Sequence, residues 1–171
     1  MERVPKEHVN LFVGPGLACE TYARCGVKEP KIRQIYPGGK TQIADVVVHG
    51  TFAMPTDDSD LNHIGYVLAI ENGPHIYISG DTDYSDLLGH VRKLEPDVMI
   101  TCMNGGFNNL SHWEAAEVAS VIKPKIAIPC HYDMFPDNAA DPEQFRACLR
   151  HKAPQVHYER LEHARPFVFK S

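Results

Sequence analysis

The sequence predicts an α/β fold. Short runs of Val and Ile recur along the chain and alternate with segments of helical spacing, and Gly or Pro separates most of them. Three of the runs end next to a residue that can bind a metal, namely His49, Asp81 and His131. Side chains at strand ends are the usual way in which α/β folds assemble a site, so the class and the position of the site are predicted together.

The elements are predicted from their boundaries. Up to His49, the pattern predicts a strand over 9–13, a helix over 17–24 stopped by Gly26, a turn at 37–39, and a strand that ends at His49. An irregular loop is predicted over 51–62. It is followed by a hairpin in which 64–70 pairs with 75–79 around Asn72 and Gly73. The second half predicts a helix over 84–94, a buried strand over 97–102, a helix from Ser111 to 122, a strand over 125–129, a helix from Asp141 to 150, and strands over 155–158 and 166–169.

Composition limits the function. The 171 residues, 43% hydrophobic and 23% charged, suit one compact domain, and the net charge of −5 without a Lys or Arg cluster argues against nucleic acid or an anionic membrane as partner. A small molecule is the expected partner. No apolar run is long enough to span a bilayer, and the polar start at 1–8 does not resemble a signal peptide, so a cytoplasmic protein is predicted. Five widely spaced cysteines favour reduced thiols.

Three motifs resemble the later metal-binding motifs of the metallo-β-lactamase superfamily, in its L-ascorbate-6-phosphate lactonase-like branch. They are Val48-His49-Gly50, the segment from Ser79 to Ser85, and the segment from Pro129 to Phe135. The resemblance covers about 10–169 and implies an αββα sandwich, of which residues 1–171 form a partial domain, mainly its second half. The superfamily's first motif, His-x-His-x-Asp-His, has no counterpart in the sequence.

The resemblance also implies a metal site. His49 would complete one divalent metal, Asp81 would bridge two, and His131 would complete the second, with zinc or manganese as the ion. A metal-bound hydroxide would then attack a lactone, ester or phosphoester, with Asp81 and His131 as the catalytic pair. Asp133 is a candidate hydrogen-bond acceptor for His131. The residues predicted to contact substrate, such as a lactone or a phosphorylated sugar derivative, are His63, Tyr84, Asn104 and His112.

Other interpretations remain open for these residues. Asp81 can serve as the cap of the following helix, His49 can be an ordinary strand residue, and Cys130 is expected to be a buried core thiol. Three ligands spread over two metals are too few, so a non-catalytic remnant or binding module of the same fold is the alternative function. Half a sandwich leaves one sheet face bare, which predicts a homo-oligomer.

Overall fold

The computed structural model describes residues 4, 6–56 and 62–169. Its strands are β1 (Phe12–Gly14), β2 (Ile32–Gln34), β3 (Lys40–Ile43), β4 (Val46–Phe52), β5 (Ile64–Ile70), β6 (His75–Ile78), β7 (Val98–Cys102), β8 (Ile126–Cys130) and β9 (His157–Tyr158). The α-helices are α1 (Gly16–Arg24), α2 (His112–Ile122) and α3 (Pro142–Lys152), and 3-10 helices cover Glu29–Lys31, Asp86–Leu94 and Pro136–Asn138. None of the described helices is long and apolar enough to cross a membrane.

A mixed sheet organises the chain. Its seven strands lie in the order β3-β4-β5-β6-β7-β8-β9, and β1 pairs with β2 in a separate two-stranded parallel sheet. Strands β3 to β6 pair antiparallel, whereas β6 to β9 pair parallel, because α2 and α3 cross over between the later strands. The predicted α/β class is therefore confirmed, and the parallel half gathers the carboxyl ends of β6, β7 and β8 at one edge.

The two faces of the large sheet differ in burial. Val67, Tyr77, Met99 and Ala127 occupy matched positions on neighbouring strands and are fully buried in the core. The same core includes side chains of α2, α3 and the 3-10 helix Asp86–Leu94. The alternate positions point to the other face. On that face Leu68, Ile76, Ile78, Ile100 and Ile126 are half-buried, whereas Val48, Val98 and Ile128 are buried.

Local sequence signals explain several element boundaries. Ser111 and Glu114 form the predicted capping box, since the Ser111 hydroxyl accepts from the Glu114 amide and the Glu114 carboxylate accepts from the Ser111 amide. The Asp141 carboxylate caps α3, where Pro142 takes the first helical position. Asn72 adopts a positive φ of 57° in the hairpin that joins β5 and β6.

Some predicted boundaries are wrong. The strand predicted to end at His49 continues as β4 to Phe52, because the whole segment pairs with β5 and because Gly50, lacking a Cβ, lets the Tyr36 carbonyl approach closely. The helix predicted over 84–94 begins at Asp86 and is a 3-10 helix. Residues 166–169 form no strand. Strands β2 and β3 were not predicted, and residues 57–61 of the predicted loop lie outside the described residues.

Candidate metal centre

Polar side chains meet at the carboxyl edge of the parallel strands. Asp81 follows β6, Asn104 follows β7 and His131 follows β8 directly. Because these strands are neighbours and run in the same direction, their ends deliver the three residues to one place. Nε2 of His131 lies 3.7 Å from Oδ2 of Asp81, and the two side chains are 23% and 47% exposed.

A rigid loop holds Asp81. Gly80 precedes it with a φ of 66°, a conformation that costs glycine little, and a side chain there would press on the Ile64 carbonyl. The hydroxyl of Thr82, fully buried, accepts from the Met54 amide at 2.8 Å and donates to the Asp83 carbonyl at 2.9 Å. The backbone around Asp81 is thus fixed while its carboxylate stays accessible to a ligand.

Asp81 does not cap the helix that follows. The cap is Ser85, whose hydroxyl accepts from the Leu87 amide. The Asp83 carboxylate accepts from the Tyr84 amide at 2.7 Å. The interpretation of Asp81 as a helix cap is therefore wrong, and its carboxylate faces His131.

His131 has a left-handed backbone. Its φ of 60° is unusual for a residue with a Cβ and costs about 1–3 kcal/mol unless the surroundings enforce it. The next residue, Tyr132, accepts a 2.7 Å hydrogen bond from the Ala140 amide, which closes the loop after β8. A left-handed residue at this position turns the chain directly after β8.

Two amides lie beside the other ring nitrogen of His131. Nδ1 is 3.4 Å from Oδ1 of Asn104 and 3.4 Å from Nδ2 of Asn138, and Asn138 is only 2% exposed. The Asn104 amide donates to Oδ1 of Asn138 and, at 3.2 Å, to the Gly106 carbonyl. The acceptor beside Nδ1 of His131 is therefore Asn104, whereas the sequence predicted Asp133. Asn138 is not among the predicted site residues, because nothing in a polar loop distinguishes it before the fold buries it.

The structure does not bring His49 to this pair. His49 lies within β4 and pairs with Val67 of β5, which in turn pairs with Tyr77 of β6. Tyr77 lies four residues before Asp81, so His49 is level with the middle of β6 and not with its carboxyl end. Burial, and then the nearby Lys40 and His75, lower the pKa of His49. Among residues 4, 6–56 and 62–169, no three His, Cys, Asp or Glu side chains are grouped as a metal site. The predicted convergence of all three ligands is therefore wrong.

The end of β4 explains this outcome. Ala53 and Met54 follow Phe52, and Met54 forms an isolated antiparallel bridge with Asp83. The backbone beside the Asp81 loop therefore belongs to residues whose side chains offer neither an imidazole nor a carboxylate.

The predicted substrate contacts have different surroundings. Tyr84 donates its hydroxyl to Asp86 at 3.0 Å, and this bond, more than burial, raises the pKa of Tyr84. Asn104 contacts His131, as described above. His63 lies half-buried just before β5, and His112 begins α2 directly after Ser111, which forms a bridge with Asn104. For all four residues, a role in substrate binding stays a prediction.

The donors present fit two neighbouring positions around a divalent ion. With metal bonds of about 2.0–2.1 Å, ligand atoms of a tetrahedral ion lie roughly 3.3–3.5 Å apart, close to the observed separation. Burial raises the pKa of the neighbouring Cys130 to about 12 and also raises that of Cys102, and neither thiol is grouped with the pair as a metal site in the described part of the chain. The pair thus accounts for part of a coordination sphere.

Comparison with known proteins defines the class. Igni18, a metallo hydrolase from the archaeon Ignicoccus hospitalis, superposes with a TM-score of 0.79 at 19% identity, covering 94% of this chain and 70% of Igni18. The metallo-β-lactamase fold protein YhfI from Bacillus subtilis gives a TM-score of 0.66 at 10% identity, covering 88% of this chain and 61% of YhfI. The chain therefore has the metallo-β-lactamase fold.

Sequence relatives refine this assignment. A UPF0173 metal-dependent hydrolase from Anaeromyxobacter is 32% identical over 143 residues, which cover 77% of this chain and 51% of the relative. One from Cupriavidus taiwanensis is 30% identical over 156 residues, covering 85% of this chain and 49% of the relative. The chain spans about half the length of these curated relatives. No protein-family model matches it.

Proposed function

We propose that this chain contributes the Asp81 and His131 ligands to the site of a metal-dependent hydrolase. The observation that carries the proposal is the 3.7 Å contact between His131 Nε2 and Asp81 Oδ2 at the carboxyl edge of β6 and β8. Both side chains are reachable from solvent, and the backbone holding each is fixed by neighbouring contacts. Zinc and manganese both accept this donor set.

Asp81 and His131 have different roles in the proposed site. Asp81 offers two carboxylate oxygens, so it can contact one cation or bridge two, and His131 offers Nε2 while its Nδ1 faces Asn104 and Asn138. A divalent ion bound there supplies an acidified water and a positive charge for the developing oxyanion. The remaining protein ligands are to be sought outside this pair, because zinc sites need three or four.

The proposed substrate is a small lactone, ester or phosphoester, and a phosphorylated sugar derivative is one candidate. Its support is the resemblance to lactonase-like hydrolases together with the net charge of −5, which disfavours nucleic acid. His63 and His112 are the proposed substrate contacts. The five cysteines are all free thiols, which supports the proposal of a cytoplasmic location.

The alternative is a non-catalytic binding module of the same fold. One observation favours it: no third His, Cys, Asp or Glu joins Asp81 and His131 within the described part of the chain. Two protein ligands hold a divalent ion weakly, and weak retention reduces turnover. Metal stoichiometry and activity must therefore be measured together.

Calorimetric titration of the 171-residue chain with Zn²⁺ and with Mn²⁺ tests the proposal. We expect Asp81→Asn and His131→Ala each to weaken binding at least about tenfold, because each removes one of two donors. His49→Ala is the matched control and should leave binding unchanged. Hydrolysis of a γ-lactone, p-nitrophenyl acetate and bis(p-nitrophenyl) phosphate is then measured with the same variants.

The outcomes separate the two functions. Metal-dependent turnover that Asp81→Asn abolishes supports the hydrolase. Metal binding that Asp81→Asn weakens, without turnover of any of the three compounds, supports the binding module. Binding that survives both Asp81→Asn and His131→Ala, or that His49→Ala weakens equally, would contradict the assignment of this pair.

We also propose that the chain forms a homo-oligomer through the half-buried face of the large sheet. At about 25 cal/mol per Å², covering five aliphatic side chains gives a clear incentive to associate. Light scattering at micromolar concentration should report a dimer or larger species, and Ile78→Lys with Ile100→Lys should convert it to monomer. A monomeric wild-type chain would contradict this proposal.

A further inference from the structure

We propose that Asn104 and Asn138 form a two-sided amide cradle that satisfies His131 in either of its neutral tautomers. The part of this inference that involves metal rests on the proposed function. Neither asparagine is a ligand in it, and both act by positioning the ring. The cradle would let His131 exchange a contact with Asp81 for a bond to a cation without leaving its Nδ1 unsatisfied.

The orientation of Asn104 follows from a backbone group. Its Nδ2 lies 3.2 Å from the Gly106 carbonyl oxygen, which can only accept a hydrogen bond. The amide nitrogen must therefore face Gly106, and Oδ1 faces Nδ1 of His131. Asn104 thus presents an acceptor to the ring.

The orientation of Asn138 follows from Asn104. Oδ1 of Asn138 accepts from the Asn104 amide, so Nδ2 of Asn138 is turned toward Nδ1 of the same ring. Asn138 is 2% exposed, which leaves little room for water to replace it. It presents a donor to the ring nitrogen for which Asn104 is an acceptor.

Each tautomer therefore has one partner. When Nδ1 carries the proton it donates to Asn104, and when Nδ1 carries the lone pair it accepts from Asn138. Both distances are 3.4 Å, longer than the usual 2.9–3.0 Å optimum. A small rotation of the ring shortens one contact at the expense of the other.

The far side of the ring decides between the tautomers. Without metal, the Asp81 carboxylate 3.7 Å from Nε2 favours a proton on Nε2, which selects Asn138. A cation at Nε2 requires the lone pair there, which selects Asn104. The exchange moves one proton from Nε2 to Nδ1 through solvent and leaves the ring neutral.

Nitrogen-15 NMR of the His131 ring, at about pH 8 where the ordinary imidazole is neutral, tests the cradle. His131→Gln assigns the signals. We expect the Nε2–H tautomer to dominate in metal-free protein and saturating Zn²⁺ to convert it to Nδ1–H. Asn138→Ala should raise the Nδ1–H fraction without metal, while Asn104→Ala should weaken Zn²⁺ binding about tenfold, as loss of a ligand's hydrogen-bond partner does.

Asn108→Gly is the matched control. It removes an amide from the same loop, its positive φ of 56° tolerates glycine, and its Nδ2 donates to Thr56 rather than to His131. Tautomer fractions that match this control in both alanine variants would overturn the inference. If Zn²⁺ does not bind wild-type protein, the proposed function fails, and the metal-free tautomer fractions still decide whether the cradle exists.

Discussion

The two edges of the parallel half-sheet use the same kinds of residue in different ways. At the amino edge, Asp97 accepts from the His75 amide at 2.9 Å and pairs with Lys125 at 2.9 Å, while His75 Nδ1 contacts the Leu94 carbonyl at 2.8 Å. At the carboxyl edge, Asp81 and His131 stand 3.7 Å apart and both are accessible.

Asp97 is a structural acid, whereas Asp81 is available to a ligand. The bonds of Asp97 join the starts of β6, β7 and β8, and its backbone also accepts from Lys125 and Ile126. Asp81 has no such short bond described, and its neighbour His131 has a positive φ. Asp97 is thus held by short bonds within the fold, whereas the carboxylate of Asp81 makes one long contact with His131.

The largest expected effect on stability comes from substituting Asp97 and Asp81 separately by alanine. Asp97→Ala should lower the free energy of unfolding by about 2 kcal/mol, because the half-buried His75 amide loses its acceptor. Asp81→Ala should change it by less than about 0.5 kcal/mol, or raise it. Urea denaturation followed by circular dichroism measures both. Equal losses would remove the distinction between the edges.

A smaller effect is expected from the strain at His131. His131→Gly and His131→Ala remove the same imidazole, but glycine adopts a φ of 60° without the cost of a Cβ. The glycine variant should therefore be more stable than the alanine variant by about 1 kcal/mol in urea denaturation. An alanine variant as stable as glycine would show that the loop relaxes on losing the ring.

The smallest effect is a dependence of stability on pH. Burial alone would raise the pKa of Asp97, but the hydrogen bond from His75 and the pairing with Lys125 outweigh it and lower the pKa from 3.8. A lowered pKa in the folded state stabilises the protein at pH above the unfolded value, and this contribution is lost as pH falls through the folded value.

Comparison with Asp97→Asn isolates this contribution. The difference in unfolding free energy between wild type and variant should be constant above about pH 5 and shrink below about pH 4. A difference that persists unchanged to pH 2 would show that the carboxylate is not the source of the stabilisation.

Sequence patterns predicted the parts of the fold that local chemistry determines. The capping box at Ser111, the cap at Asp141 and the hairpin at Asn72 are confirmed, because each depends on residues within a few positions of one another. The end of β4 could not be predicted in this way. Gly50 resembles a strand terminator, and only the approach of Tyr36 shows why a strand continues through it.

The candidate site was predicted only as far as the order of the strands determines it. Asp81 and His131 follow buried strands that are neighbours in the sheet, so their proximity follows from strand order. The prediction that His49 is a ligand required β4 to end at His49, but β4 pairs with β5 as far as Phe52. Asn138 becomes recognisable only once the fold places it against His131, because no sequence spacing connects the two.

The mixed direction of the large sheet has a consequence for folding. Strands β3 and β4, like strands β5 and β6, are joined by short connections and pair early at little cost in loop entropy, whereas β7 and β8 must wait for α2 to form between them. Asp81 follows the last hairpin strand, and His131 follows a strand that pairs only after the crossover. We therefore expect the contact between the two to form late in folding, after the hairpins are complete.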